Sequence, residues 1–244
     1  MPGIGDIGKF ALDQLIGILN PKKYCDIIFY DYPAGAIVEG SLLSTPKCEI
    51  LVWKDPKGVR DIVLVTSDAQ SMTPKGIYQI SDLIAEILVK ELGVSLILSL
   101  GAYPVRQSMN NFETFYVTST TIGWAEKLVN TKDFEPVEKG VIIGSNGLIP
   151  TIAFMRFQVD GLVIMAEIDN NMAMNENYTD IKSSIQLLEL VALHFDLPIE
   201  PSVNKSKIKE IENDIDLRKK EMEGEFEQPI PVNKKAADGG SLYI

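Results

Sequence analysis

Apolar side chains recur near a 3.6-residue period through Ile7, Phe10, Ala11, Leu15, Ile16 and Leu19. This predicts an amphipathic helix that stops at Asn20-Pro21. The period then changes. Asp26 to Tyr30 reads as a strand, and Ala36 to Trp53 as a hairpin. Its first arm carries Ile37-Val38 and Leu42-Leu43, and its second Glu49-Ile50-Leu51-Val52-Trp53. Asp61 to Thr66 is a near-continuous apolar run of the kind found in parallel strands buried on both faces. Gly76 to Leu92 is the clearest helical stripe, with Ile77, Ile80, Leu83, Ile84, Ile87 and Leu88 on one side and Gly93 placed to cap it.

Val94 to Leu100 is another buried strand, followed by Gly101-Ala102-Tyr103-Pro104. Thr114 to Thr118 reads as a strand, Trp124 to Val129 as a short helix, and Gly140 to Ile143 as strand-like. Asn146-Gly147 opens a helix through about Arg156. Leu162 to Ile168 is a strand and Tyr178 to Phe195 a strong helix. Alternation of buried strands with amphipathic helices predicts a layered α/β domain over residues 1–200 with a largely parallel central sheet. Pro198 and Pro201 interrupt the pattern. Residues 201–223 then read as a charged helix, with Ile208, Ile211, Ile215 and Met222 on a narrow seam. Residues 224–244 hold Pro229, Pro231, Gly239 and Gly240 and few apolar side chains, which predicts a flexible tail. As a random coil, about 18 residues of it span roughly 24 Å.

Composition narrows the functional classes. The formal net charge of −11 argues against a nucleic-acid surface. Two cysteines, Cys25 and Cys48, make neither a disulfide framework nor a zinc site, which points to a reducing cytoplasm. The chain opens on an amphipathic pattern rather than a signal peptide. No apolar run reaches the ~18 residues of a membrane span. A soluble cytoplasmic protein without membrane or nucleic-acid partners is the expectation.

Candidate chemistry is sparse. Gly3-x-Gly5-x-x-Gly8 matches the dinucleotide-binding spacing but lacks the strand that must precede it, so it reads better as a tight turn with close helix packing. His194, the only histidine, stands near the end of an apolar helix with no Gly-x-Ser-x-Gly elbow to serve it. Thr66-Ser67-Asp68-Ala69-Gln70 follows a central strand, where open α/β sheets bind ligands. Asp68, Gln70, Tyr103 and Asn146 could converge there, with Glu167 and Asp169 joining them. Capping of loop amides by these side chains explains them equally well. No metal spacing or phosphate-binding loop is recognisable, and no cofactor is expected.

The strongest feature is the tip Leu242-Tyr243-Ile244 on its polar, Gly-Pro tether. An extended terminus of this kind can be captured through its carboxylate while the preceding side chains fill a pocket.

The order of several motifs resembles the proteasome assembly chaperone family in its archaeal form. They are Pro2-Gly3-Ile4-Gly5-Asp6-Ile7-Gly8-Lys9, Thr66-x-Asp68-x-Gln70, Gly76-x-Tyr78, Gly93-Val94 through Leu100-Gly101-Ala102-Tyr103, Gly144-x-Asn146-Gly147-Leu148, and the strand ending at Glu167. The family pattern carries a strand ahead of the first motif, inside which this chain begins. The resemblance implies a three-layer α/β/α fold similar to nucleoside phosphorylases, no catalytic site, and homo- or hetero-oligomers. It also implies that Leu242-Tyr243-Ile244 enters pockets between α-subunits of the proteasome core particle. Tyr243 would be the anchor, Leu242 an apolar contact, and the Ile244 carboxylate the partner of a pocket lysine. A non-enzymatic assembly chaperone or ATP-independent activator is therefore expected. A nucleoside phosphorylase-like enzyme and a purely oligomeric scaffold are the alternatives.

Overall fold

A computed structural model describes residues 1–107, 110–173 and 179–199. The expected helix over 201–223 and tail over 224–244, with the tip Leu242-Tyr243-Ile244, lie outside the described residues.

A 3-10 turn (Ile4–Asp6) leads into α1 (Ile7–Leu19), and three strands follow: β1 (Lys22–Ile27), β2 (Ile37–Glu39) and β3 (Leu42–Ser44). After β4 (Cys48–Trp53) and β5 (Ile62–Ser67) comes α2 (Pro74–Glu86), prolonged by a π-turn over Ile87–Glu91. The remainder is β6 (Leu96–Val105), β7 (Phe115–Ser119), α3 (Ile122–Val129), β8 (Glu135–Pro136), α4 (Ser145–Phe157), β9 (Asp160–Asp169), α5 (Asn170–Ala173) and α6 (Ile181–Phe195).

The strands form a three-stranded sheet β1-β4-β5, a two-stranded hairpin β2-β3, and a four-stranded sheet β6-β9-β7-β8. The expected largely parallel sheet is a mixed one. β6 pairs with β9 in parallel and β7 with β8 in parallel, but β7 runs antiparallel to β9, and β4 is antiparallel to both β1 and β5. The apolar run at β5 reports burial on both faces and says nothing of direction, because a neighbouring strand of either sense leaves both faces free to be covered.

Alternation along the strands assigns the two faces. Leu96, Leu98, Leu100 and Ala102 of β6, with Leu162, Ile164, Ala166 and Ile168 of β9, pack into a cluster with Ile7 of α1 and Leu187, Val191 and Phe195 of α6. Ile97 of β6 points the other way and joins Ile80, Ile84 and Ala85 of α2 and Ile149 and Ala153 of α4. The three-stranded sheet divides likewise. Ile50, Val63 and Val65 face α2 and α4, while Leu51, Ile62 and Leu64 face Ala11, Leu15 and Leu19 of α1 and Leu188 of α6. Helices thus cover both faces, as a sheet buried on each side requires.

Three local expectations are corrected. The predicted hairpin arms regroup, since Ile37–Glu39 pairs with Leu42–Ser44 across Gly40-Ser41, both at positive φ (54° and 70°). A two-residue turn of that backbone type joins adjacent strands, so Leu42 and Leu43 belong to the return strand and β4 pairs elsewhere. Gly140 to Ile143 forms no strand; Val141 and Ile143 are each 86% exposed, leaving no apolar face to bury. The first strand is Lys22–Ile27 rather than Asp26 to Tyr30.

The start of α2 explains one glycine. Thr73 caps the helix by accepting from the Gly76 N–H at 3.0 Å. The Asp31 carboxylate accepts from the Thr73 N–H at 2.8 Å and the Thr73 hydroxyl at 3.0 Å. A Cβ on Gly76 would stand 1.9 Å from Asp31 Oδ2. Gly76→Ala should therefore cost about 1–3 kcal/mol by overpacking, and much less in an Asp31→Gly background, because the Asp31 Cβ itself would stand 2.8 Å from the added carbon. A double-mutant cycle by urea denaturation checks this; equal costs in both backgrounds would show that the two residues are not coupled.

Candidate functional site

The carboxyl ends of the strands were the expected ligand crevice; Gln70 and Asn146 there are engaged with backbone carbonyls, while the buried hydroxyls of Thr66 and Ser71 have no hydrogen-bond partner among the described residues. Gln70, on the loop after β5, donates from Nε2 to the Pro2 carbonyl at 2.5 Å. Its Oε1 lies 2.7 Å from where a Cβ on Gly144 would be. Asn146, in the first turn of α4, donates from Nδ2 to the Leu100 carbonyl at 3.3 Å, and a Cβ on Gly3 would sit 3.8 Å from that nitrogen. Gln70 and Asn146 are thus brought to the same place, with Pro2-Gly3 against both. The remaining neighbours of α4 are tied as well, the Ser81 hydroxyl donating to that of Ser145 at 3.0 Å within the core.

Asp68 does not join them. Its carboxylate accepts from the Lys47 N–H at 3.0 Å, and its own N–H donates to the Lys47 carbonyl at 3.0 Å, closing the loop onto β4. Tyr103 stands opposite Glu167 in the β6–β9 register and stacks on Tyr116 at 4.2 Å between centroids, 29° from coplanar. Glu167 is 3% exposed. Burial, with the charge of Glu167 behind it, raises the Tyr116 phenol above its ordinary range, so it stays protonated and acts as an apolar wall with a polar edge. Asp169 accepts from the N–H groups of Asn171 and Met172, at 2.8 and 3.3 Å, and so caps α5. Tyr116 had escaped the sequence reading; its alternation with Val117 on a short strand was the available signal.

The glycine-rich opening also resolves. Gly5 has φ 58° and turns the chain into α1, and a Cβ on Gly8 would fall 2.1 Å from the Leu100 carbonyl oxygen. The pattern serves helix packing against β6.

Groups able to do chemistry are held in structural roles. His194 Nε2 lies 2.8 Å from Asp133 Oδ2, and its ring meets Phe134 edge-on at 5.1 Å. This ties the end of α6 to the loop after α3. Burial pushes the Cys48 thiol up to about 12 and raises that of Cys25 as well, so little thiolate exists near neutrality. In native protein at pH 8, Ellman's reagent should leave Cys48 unlabelled and react slowly with half-buried Cys25; both should label in denaturant. Rapid native labelling of two thiols would contradict this packing. Among the described residues, no group of three or more His, Cys, Asp or Glu side chains is placed to hold a metal, and no helix is long and apolar enough to cross a membrane.

Two surface hollows stand apart from the expected crevice. One of about 450 Å³ is bordered by Thr121, Trp124, Lys127 and Asp160. There Trp124 Nε1 and the Thr121 hydroxyl donate to the two oxygens of Asp160 at 3.0 and 3.2 Å. The other, about 390 Å³, runs along α4 between Ile142, Pro150, Phe154 and Val163.

Comparison with known proteins adds the family context. The PAC2 family profile matches residues 1–217. A Methanocaldococcus jannaschii protein described as uncharacterised is 26% identical over 168 residues, which is 68% of this chain and 63% of that relative, so the chain spans somewhat under two thirds of its length. The crystal structure of Pyrococcus furiosus PbaB, an archaeal proteasome activator, superposes with a TM-score of 0.75 at 25% identity, covering 90% of each chain. P. furiosus PbaA, an archaeal homologue of proteasome-assembly chaperone, gives a TM-score of 0.68 at 16% identity over 91% of this chain and 86% of its own. A proteasome-assembly chaperone homologue from Mycobacterium tuberculosis gives 0.64 at 14% identity over 88% and 89%. The last two likenesses speak to the fold.

Proposed function

We propose that this chain, which belongs to the PAC2 family, is a proteasome-binding assembly chaperone or ATP-independent activator. Its α/β body multiplies a C-terminal tip that enters pockets of the core-particle α-ring. The observation that carries this reading is the similarity to an archaeal proteasome activator over 90% of both chains at 25% identity. It meets the sequence Leu242-Tyr243-Ile244 at the end of a Gly-Pro tether. In this reading, Tyr243 is the anchor, Leu242 supports it, and the Ile244 carboxylate takes a lysine.

The crevice chemistry weighs against a nucleoside phosphorylase-like enzyme. Pro2-Gly3 abuts Gln70 and Asn146, whose amides are spent on backbone carbonyls. One oxygen of the Asp68 carboxylate is held by the Lys47 N–H. A substrate would have to displace Pro2-Gly3 to reach the two amides. The role is one of binding, and the protein acts as a homo-oligomer, because a three-residue tip offers little contact area and gains through repetition.

The test is capture of proteasome core particles from the same organism by the full-length chain and by a chain lacking Leu242-Tyr243-Ile244. Capture by the first and not by the second is expected. Equal capture by both would remove the tip mechanism.

A further inference from the structure

We infer that the outer edge of β7, with the hollow beside α4, is a docking site for an extended, uncharged peptide segment of a partner protein. The open edge follows from main-chain pairing. The Thr120 N–H donates to the Gly161 carbonyl and the Glu167 N–H to the Thr114 carbonyl, each at 2.9 Å. Main-chain groups alternate along an antiparallel pair. Thr114, Tyr116, Thr118 and Thr120 therefore turn theirs to β9, and Val117 and Ser119 turn theirs the other way. On that side the Val117 carbonyl accepts from the Val137 N–H at 3.0 Å. β8 pairs only with Tyr116 and Val117. The N–H and carbonyl of Ser119 thus face the edge where β8 has ended. Phe115–Ser119 holds neither a proline nor a charged residue to guard it.

The hollow of about 390 Å³ borders the same residues, since Thr118 and Ser119 line it with Ile142, Phe154 and Val163. Its lining selects the occupant. No charged side chain borders it, although the chain has a net charge of −11. A charge carried into it would lose hydration without gaining a partner. Three of its four hydroxyls are bonded to the protein's own main chain. Ser119 donates to the Thr121 carbonyl at 2.6 Å, Thr120 to that of Gly161 at 3.3 Å, and Thr151 to that of Gly147 at 2.8 Å. A sugar or other polyhydroxyl ligand finds little to bond there. What remains is an apolar wall beside an open main-chain edge, and a second main chain matches both. Its N–H and carbonyl groups pair along the edge while alternate side chains fill the pocket. Val141 and Ile143, exposed on either side of Ile142, extend the apolar rim.

Fluorescence anisotropy on the full chain tests the site, with a short fluorescein-labelled peptide of alternating valine and threonine as the probe. Saturable binding is expected, and glutamate in place of the threonines should weaken it at least roughly tenfold. Two N-methylated forms, one on the valines and one on the threonines, test the main-chain pairing without a variant. Alternate N–H groups face opposite edges of a strand. One form should therefore bind like the parent and the other roughly tenfold more weakly. Ser119→Pro removes an N–H that faces the open edge, where proline is tolerated. It should weaken the parent peptide by roughly tenfold, whereas Ser119→Ala, which loses the same hydroxyl, should bind like the wild type. No saturable binding, or a glutamate peptide bound as tightly as the parent, overturns the site. So do N-methylated forms that behave alike, or a folded Ser119→Pro protein that binds like the wild type. If Ser119→Pro does not fold, the N-methylated pair decides on wild-type protein alone. No proteasome enters these measurements, so this site and the C-terminal tip succeed or fail separately.

Discussion

Tyr243→Ala is expected to abolish capture of core particles nearly as completely as deleting the last three residues. A tyrosine that leaves water buries roughly 150–250 Å², and removing such an anchor typically costs at least about 2 kcal/mol, or roughly 30-fold in affinity for one tip. The proposed homo-oligomer would present several tips, and the loss would recur at each one engaged. Two simultaneous tips therefore turn 30-fold into about a thousandfold, inside the 10²- to 10⁴-fold range that linked binding supplies. A synthetic peptide of residues 232–244 offers one tip only, so the same substitution in it should cost the single-tip factor. Surface plasmon resonance on immobilised core particles measures both. Capture of Tyr243→Ala that matches the wild type would end the anchor role. An equal loss in peptide and full chain would end the multivalent part.

The helices were legible because each carries its own period. Ile7 to Leu19 and the stripe from Ile80 to Leu88 repeat every 3.6 residues, and both lie where the pattern placed them. Strand direction was not legible. Val63 and Val65 face one helical layer and Ile62 and Leu64 the other, and this arrangement looks the same from the sequence whether the neighbour runs up or down. The hairpin regrouped because Gly40-Ser41 is a turn written in two residues, with Ser41 at a positive φ that its side chain does not announce. At the strand ends, polar residue types were found but not their partners. Asp68, Gln70 and Asn146 pair with the backbone of Lys47, Pro2 and Leu100, and a backbone partner leaves no trace in the identity of its residue. Glycines show the same limit. Gly8 and Gly17 look alike in a sequence, yet the fold gives them opposite meanings.

Gly8→Ala should destabilise the protein, and Gly17→Ala, about two and a half turns further along the same helix and so on its opposite face, should stabilise it. Helix propensity alone favours both, since alanine exceeds glycine by about 1 kcal/mol in a helix interior. At Gly17 no atom of the described residues lies within 4 Å of an added Cβ, so that gain stands. At Gly8 the added carbon would meet Leu100 O at 2.1 Å, Leu100 C at 2.6 Å and Gly101 N at 3.2 Å. All three are backbone atoms of β6, a strand held along its length by β9. A backbone so held cannot turn aside as a side-chain end can, so α1 must lift. Lifting opens the contacts of Ile7 and Ala11, both fully buried. Overpacking costs about 1–3 kcal/mol and sometimes more, and here the upper end outweighs the propensity gain to leave a net loss of about 2 kcal/mol. For a chain of this size the melting temperature should fall by roughly 4–8 °C. Gly17→Ala should raise it by roughly 2–4 °C on the same scale. Scanning calorimetry of the two variants separates the effects. A Gly8→Ala protein as stable as the wild type would mean that α1 does not rest its backbone on β6.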